Sequence, residues 1–312
     1  MLQPQDDLIH PIGAEPWWRE AWYWGFYDQA TGLQFICYLG IFPNQQRADV
    51  TVGVYHGRSV LSHLMEMDYH VAPDIGEDRL GFGPVIMKIL RPMQEWSVFY
   101  TAPGLEVDVR FEAVQPPYSW AESKLWMEKT PQSGASSKHY DQVGRFTGEV
   151  RYNGQVHKIN TLGFRDHMWG WGGRSKWKQY IMLWPIFGED LVVNVYPMGF
   201  TEGKDQLCGY IYSDGKRDLL KSCTFHVDWQ GLSRVPRHLA CDIESHSGRK
   251  MHLDVEPINI LDSSGAWPHR TGHLLFGMAR YVCEGKTTCG ELAYCYATET
   301  ERPVDWTVKD EA

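Results

Sequence analysis

The sequence lacks the long apolar runs, the basic surplus and the short glycine motifs that mark several large protein classes. Charged residues or glycines interrupt every apolar stretch well before the roughly 20 residues of a membrane-spanning helix. Acidic residues outnumber basic ones by 39 to 30, and the net charge of −9 disfavours binding to nucleic acid or to anionic membranes. Dinucleotide, phosphate-loop and serine-hydrolase motifs are missing too. We therefore expect no cofactor, no nucleic acid partner and no integral membrane segment.

Cysteine usage and the amino terminus point to a cytoplasmic protein. The seven cysteines include no Cys-x-x-Cys pair, so reduced thiols are expected. Cys283, Cys289 and Cys295 recur at intervals of six, but they are better explained as small buried hydrophobes than as zinc ligands, because no histidine pair stands nearby. Residues 1–12 lack the basic region and apolar run of a signal peptide.

Period-two alternation dominates the chain and predicts an all-β fold. Apolar and polar side chains alternate in residues 105–111, 146–152, 223–229 and 251–255, as in half-buried strands. The dipeptides Asn153-Gly154 and Asp214-Gly215 favour tight hairpins. Short helices are expected only around 120–128 and 60–67.

The length predicts two domains of similar size, since one domain typically has about 100 to 200 residues. Pro116, Pro117 and the polar segment 131–138 predict a crossing near residue 135. The expected domains are 1–135 and 136–312, each closed into an antiparallel β-barrel or a highly curved sandwich.

The segment Gly163–Gly170 is the most informative part of the sequence because it places a cation, a carboxylate, an imidazole and an indole side by side. In a regular strand Asp166 and His167 would point to opposite faces. The glycines that follow Trp169 could instead bend the strand and bring both side chains to one cavity. In that case Asp166 could protonate an alkene, His167 could relay the proton, and Trp169 with Trp171 could face a carbocation. The alternative is structural: Arg165 pairs with Asp166, and His167 binds a backbone carbonyl.

Three further candidates have structural alternatives as well. Tyr140, beside His139, is either a proton relay or part of a polar network at a sheet edge. Glu291 stands alone in an apolar strand and either pairs with Arg165 or faces outward. Trp24, in the dense aromatic run 17–27, either walls a cavity that receives substrate or fills the core.

The central motif and its flanks resemble a known family. The matching residues are His139, Tyr140, Gln142, Gly144, Arg145, Gly148, Gly163, Arg165, Asp166, His167, Trp169 and Gly170. This pattern resembles the carotenoid 1,2-hydratase (hydroxyneurosporene synthase) superfamily of lipocalin-like proteins. It is closer to a bacterial two-domain branch with a Gly-x-x-Arg-Asp-His-Ser-Trp-Gly signature, and tocopherol cyclase is also similar. Met168 replaces the serine of that signature.

The resemblance implies two consecutive lipocalin-like domains, with the motif in the second, and acid-initiated chemistry at a carbon–carbon double bond. The substrate would be a hydrophobic terpenoid, steroid or polycyclic compound, bound near Arg165, Trp169, Trp171, His139 and Trp24. Asp166, His167, Tyr140 and Glu291 would carry the proton network. Because Met168 removes a hydroxyl that could bind water, isomerisation or cyclisation is favoured over hydration.

Two other functions stay open from the sequence. A lipocalin-like carrier would bind a hydrophobic ligand without changing it, and a pericyclic cyclase would fold a polyene by shape alone, leaving Asp166 structural. Substrate turnover separates the carrier from the enzyme. The sequence leaves the oligomeric state open.

Overall fold

The alternating sequence forms a protein built almost entirely of antiparallel strands, as expected. The computed structural model describes residues 2–69, 74–76, 78–123, 138–171, 177–200, 204–229, 231, 235–262, 272–297 and 305–310. Within these residues the helical elements are short 3-10 turns, at Pro4–Asp7, Pro43–Gln45 and Trp120–Ser123. None of the described helices has the length and apolarity needed to cross a membrane.

Twelve described strands form the sheet of the first unit. In chain order they are β1 (Trp18–Asp28), β2 (Leu33–Phe42), β3 (Arg47–His56), β4 (Ser59–Tyr69), β5 (Asp74–Ile75), β6 (Arg79–Phe82), β7 (Val85–Arg91), β8 (Glu95–Ala102), β9 (Leu105–Ala113), β10 (Tyr118–Ser119), β11 (Lys138–Tyr152) and β12 (Gln155–Trp171). Their order across the sheet is β4-β3-β2-β1-β12-β11-β9-β8-β7-β6-β5, and β10 pairs with β11. The long hairpin β11–β12 thus lies between β1 and β9.

One face of this sheet carries the hydrophobic core of the first unit. Trp22, Trp24 and Phe26 of β1 point to it, as do Val107 and Phe111 of β9. The alternation seen in the sequence therefore separates an inner, apolar face from an outer one.

Strands β13 to β20 of the second unit close into an eight-stranded antiparallel barrel, and one further strand is added. They are β13 (Trp177–Gly188), β14 (Leu191–Phe200), β15 (Gln206–Ser213), β16 (Lys216–Trp229), β17 (Pro236–Ser245), β18 (Lys250–Asp262), β19 (Gly272–Cys283), β20 (Lys286–Ala297) and β21 (Asp305–Lys309). Consecutive strands pair from β13 to β20, β20 pairs back to β13, and β21 pairs with β16. Alternate residues such as Leu183, Phe225 and Leu253 fill the interior.

Both predicted hairpin turns are confirmed. Asn153 and Gly154 join β11 to β12, and Asp214 and Gly215 join β15 to β16, with φ between 52° and 75° at all four residues. Positive φ at both central positions is what these tight turns require. The helix expected around 60–67 is wrong, because these residues belong to β4 and pair with β3. The other expected helix is a 3-10 turn over Trp120–Ser123, and residues 124–128 lie outside the described residues.

The division into units differs from the expected one. The first unit comprises Met1–Glu122 and Trp126–Gly173, and the second comprises Ser123–Leu125 and Arg174–Ala312. The boundary expected near residue 135 lies outside the described residues. The hairpin β11–β12 belongs to the first unit because β12 pairs with β1 and β11 pairs with β9. The Arg-Asp-His-Met-Trp-Gly motif is therefore in the first unit rather than the second.

Candidate functional site

Strand β12 carries the central motif through the middle of the first sheet in regular register. His167 lies opposite Trp22 of β1 and Tyr140 of β11, whereas Asp166 lies opposite Tyr23 and Asp141. Successive side chains of a strand point to opposite faces. Asp166 and His167 accordingly diverge, and the polar residues form two separate clusters, one on each face.

The inner cluster is organised around a buried ion pair. Arg165 Nη1 lies 2.8 Å from Asp7 Oδ1, and both side chains are fully buried. The remaining guanidinium nitrogens donate to Gln142 Oε1 at 3.1 and 2.8 Å. Burial alone would lower the pKa of Arg165, but the negative charge of Asp7 outweighs it and raises that pKa. The carboxylate partner of Arg165 is thus Asp7, not Asp166 or Glu291 as proposed from the sequence.

Asp7 comes from the 3-10 turn at the amino terminus and collects several hydrogen bonds. Its Oδ1 also accepts from the Tyr140 hydroxyl, and its Oδ2 accepts from the Met93 backbone N–H. Trp96 Nε1 donates to the same Oδ2 at 3.1 Å. Charge-assisted bonds of this kind are about twice as strong as neutral ones. They fasten the amino-terminal segment to the sheet.

The second half of the inner cluster joins two histidines through a glutamate. Glu20 Oε1 lies 2.8 Å from His10 Nδ1 and 2.9 Å from His167 Nε2. Glu20 and His167 are fully buried, and the side chain of His10 is 17% exposed. Burial lowers the pKa of His167. Burial opposes the charge of Glu20, but hydrogen bonds from His10 and His167 lower its pKa.

The outer cluster contains one histidine between two carboxylates. His139 Nε2 lies 3.1 Å from Asp141 Oδ1 and 3.5 Å from Asp166 Oδ2. Trp120 stacks on the imidazole with ring centroids 3.6 Å apart, and its Nε1 donates to Asp141 Oδ2 at 2.8 Å. Asp166 is the most open member, with 18% of its side chain exposed, against 9% for His139 and 2% for Asp141.

The charges of the outer cluster favour a stored proton. Burial disfavours the imidazolium of His139, but Asp166 and Asp141 outweigh that effect and raise its pKa to about 9. Burial raises the pKa of Asp141. His139 is therefore protonated at neutral pH and keeps a proton within reach of Asp166.

The other residues proposed from the sequence lie in different places. Trp24 is fully buried in the core, with its ring centroid 5.4 Å from that of Trp96. Trp169 is 7% exposed and stacks on His10. Glu291 is buried in β20 of the second unit. The side chain of Trp171 lies outside the described part of the structure.

Asp7, His10 and Glu20 belong to the inner cluster but were not candidates from the sequence. Glu20 carried a usable signal, since it shares the inner face of β1 with Trp18 and Trp22 and interrupts an otherwise apolar series. Asp7 and His10 carried none, because the amino-terminal segment that precedes β1 has no periodic pattern.

Among the residues that the structure describes, two groups have ligand atoms close enough to hold a metal ion. One is His10, Glu20 and His167, and the other is His139, Asp141 and Asp166. The first contains two imidazoles, which suit zinc and other late first-row metals. The second contains one imidazole and two carboxylates.

The chain matches the model of one protein family over most of its length. Residues 3–298 match the model of a domain of unknown function, DUF7064. The chain belongs to the DUF7064 family. A comparison with curated proteins gives no match. In this DUF7064 protein the matched region includes both polar clusters and strands β1 to β20, and β21 lies beyond it.

Solved structures share the fold of this DUF7064 protein. A protein assigned as AttH from Nitrosomonas europaea is 11% identical, with a TM-score of 0.62 and coverage of 89% of this chain and 91% of that one. Kievitone hydratase from Nectria haematococca is 8% identical, with a TM-score of 0.59 and coverage of 89% of both chains. CghA is 13% identical, with a TM-score of 0.54 and coverage of 92% of this chain and 90% of that one. At such low identities these likenesses show the fold alone. The carotenoid hydratase signature stays a prediction.

Proposed function

We propose that this protein is an enzyme that transfers protons at a carbon–carbon double bond of a hydrophobic small molecule. The outer cluster of His139, Asp141 and Asp166 would carry the proton. The observation that supports this most directly is the buried imidazole held between two carboxylates, one of which is partly exposed. Such a group of titratable residues with perturbed pKa is typical of acid–base sites.

Asp166 is the group that would meet the substrate, because it is the most exposed of the three. His139 supplies the proton, moving it from Nε2 to Asp166 Oδ2 across 3.5 Å. Asp166 then donates it to one carbon of the double bond. Protonation leaves a carbocation at the second carbon of the double bond. The Asp166 carboxylate then accepts a proton from the carbon on the far side of that cation, the C–H electron pair forms the new double bond, and the accepted proton returns to His139. One proton enters and one leaves, so the double bond shifts without change of composition.

In this proposal the proton relay is His139 and not His167, the residue proposed from the sequence. The imidazole of His167 binds Glu20 on the opposite face of β12 from Asp166. His139 takes that role because it lies beside Asp166. Tyr140 and Arg165 belong to the inner cluster and hold the strand in place.

The proposed substrate class is a terpenoid, a steroid or another polycyclic compound. The surroundings of Asp166 support an apolar ligand: Tyr23 lies opposite it, and Tyr23 stacks with Phe164 at 5.3 Å between ring centroids. The fold supports the reaction class, because a kievitone hydratase has the same fold. Fold alone does not determine activity, so the site must be tested.

The test is turnover in heavy water. The purified protein is incubated with the apolar small-molecule extract of its source cells, and the products are analysed by untargeted mass spectrometry. Wild type should form a product with deuterium bound to carbon. Asp166→Asn and His139→Gln should reduce that product by about 10²-fold or more.

The matched control is Asp108→Asn, which makes the same chemical change on the exposed face of β9. Its activity should equal that of wild type. Full activity of Asp166→Asn would refute the proposal. Recovery of one unchanged ligand from wild type and variant, with no deuterium on carbon, would identify a carrier instead.

A further inference from the structure

Three ligand atoms of the inner cluster converge on one point from three separate segments of the chain. His10 Nδ1 and His167 Nε2 lie 2.8 and 2.9 Å from Glu20 Oε1, and all three atoms are within 4.8 Å of one another. Two imidazoles and one carboxylate form a donor set that proteins use for zinc and for other late first-row metals.

The Tyr140 hydroxyl, bound to Asp7, lies beside Nδ1 of His167. Asp7 accepts hydrogen bonds from Arg165, Trp96 and the Met93 backbone. The Tyr140 hydroxyl has one proton and donates it to Asp7. The hydroxyl oxygen lies 3.4 Å from His167 Nδ1 and can accept a hydrogen bond from the tautomer that carries its proton there.

A neutral imidazole protonated at Nδ1 has a bare lone pair at Nε2. In that tautomer of His167 the lone pair points at Glu20 Oε1, 2.9 Å away, and is available to a metal ion. In the other tautomer Nε2 donates a hydrogen bond to Glu20, and a metal ion would take the place of that proton. His10 Nδ1 faces the same oxygen, so the ion would have three protein ligands.

We propose that His10, Glu20 and His167 bind a divalent late first-row metal ion, with Zn²⁺ as the best match. Tetrahedral zinc takes a fourth ligand, which water can supply. The site does not depend on the proposed function, because its residues lie on the opposite face of β12 from Asp166.

The packing around the three ligands resembles that of established metal sites. The His10 ring stacks on Trp169 with centroids 4.1 Å apart, and the His167 ring stacks on Trp22 at 5.0 Å. Tyr140 lies 3.4 Å from the other ring nitrogen of His167. Metal-bound histidines usually have such a partner at their second nitrogen. The partial exposure of His10 gives the ion a route to two fully buried ligands.

Such an ion would join the amino-terminal segment to the sheet. His10 precedes β1, Glu20 is in β1 and His167 is in β12. Metal binding would add to the ion pair of Asp7 and Arg165, which fastens the same segment a few residues earlier.

The experiment uses the full chain and measures metal directly. Elemental analysis of the purified protein comes first. The protein is then freed of metal with dipicolinate and titrated with Zn²⁺ in a calorimeter, and Co²⁺ is added separately to record its visible absorption. The main variant is His10→Ala, because His10 is the most exposed ligand and its loss disturbs the core least. His139→Gln, which removes a histidine from the other cluster, is the matched control.

Wild type and His139→Gln should each bind one Zn²⁺ per chain, and His10→Ala should bind it at least about 10- to 100-fold more weakly while keeping a wild-type circular dichroism spectrum. Equal affinity of His10→Ala and wild type would overturn the proposal. So would a wild type that takes up no zinc, because a hydrogen bond from His167 to Glu20 would then account for their contact. Loss of zinc in His139→Gln alone would place the metal in the outer cluster instead.

Discussion

The stability of the first unit should depend on the proton held by His139. The pKa of this imidazole rises from an ordinary value of 6.5 to about 9 in the folded protein because Asp166 and Asp141 outweigh the effect of burial. A group with a raised pKa stabilises the folded state fully below the unfolded pKa, and this contribution is lost as the pH rises through the folded pKa. Each pKa unit corresponds to about 1.4 kcal/mol, so the contribution is about 3 kcal/mol in all.

The assay is urea unfolding at several pH values between 6 and 9.5. The free energy of unfolding of wild type should fall across this range by about 3 kcal/mol more than that of His139→Gln, which cannot hold the proton. His226→Gln is the matched control, since His226 also pairs with an aspartate, Asp305, but is 52% exposed. The free energy of unfolding of His226→Gln should change with pH as that of wild type does. Parallel curves for wild type and His139→Gln would refute the assignment of a stored proton to this imidazole.

Three further substitutions test the packing, each by the free energy of unfolding in urea. Asp7→Asn should cost about 3 to 5 kcal/mol, because it leaves the buried guanidinium of Arg165 unpaired. Gly148→Ala should cost at least about 2 kcal/mol, since Gly148 has φ of 142° and a Cβ there would lie 2.2 Å from the Asp108 carbonyl oxygen. Leu253→Ala should cost about 2 to 5 kcal/mol by opening a cavity in the barrel.

Matched controls keep these three results interpretable. Asp108→Asn is the control for Asp7→Asn, and Val156→Ala is the control for Leu253→Ala, because both change exposed residues. The free energy of unfolding of each control should stay within about 0.5 kcal/mol of that of wild type. A Cβ at Gly154 would meet no atom within 4 Å, so Gly154→Ala should lower the free energy of unfolding less than Gly148→Ala. If a control loses as much stability as its buried counterpart, burial is not the cause.

The strands could be predicted wherever one face of the sheet is apolar. Residues 105–111 alternate cleanly because β9 puts every second side chain into the core. Strand β4 was mistaken for a helix because Val60, Leu61 and Leu64 are spaced like a helical stripe, and none of these three side chains is fully buried. Leu61 and Leu64 pack against the core only partly buried, so period-two alternation is weakly enforced in this strand.

The division of the chain was harder to predict, because it depends on pairing between distant strands. Polar residues near 135 suggest a linker, but a linker within one sheet has the same composition as one between domains. The pairing of β12 with β1, more than 130 residues earlier in the chain, and that of β11 with β9 assign the hairpin to the first unit.

About half of the candidate site could be found from the sequence. Whether Asp166 and His167 diverge was open from the sequence, because the glycines after Trp169 allow a bend. Strand β12 keeps a regular register through both residues, and their side chains diverge. The partners of Arg165 and His167 could not be found, since Asp7 and Glu20 are about 150 residues away and no local pattern links them.

The two clusters depend on each other through the register of β12. A slip of one residue would move Arg165 and His167 to the outer face and Asp166 into the core. The inner bonds oppose such a slip, because Asp7 and Glu20 would each lose a cationic or imidazole partner in a fully buried place. The same bonds therefore fix the position of Asp166 beside His139. The buried cluster sets the geometry of the exposed one, and the short sequence Arg165-Asp166-His167 needs all three residues because alternate members serve opposite faces of one strand.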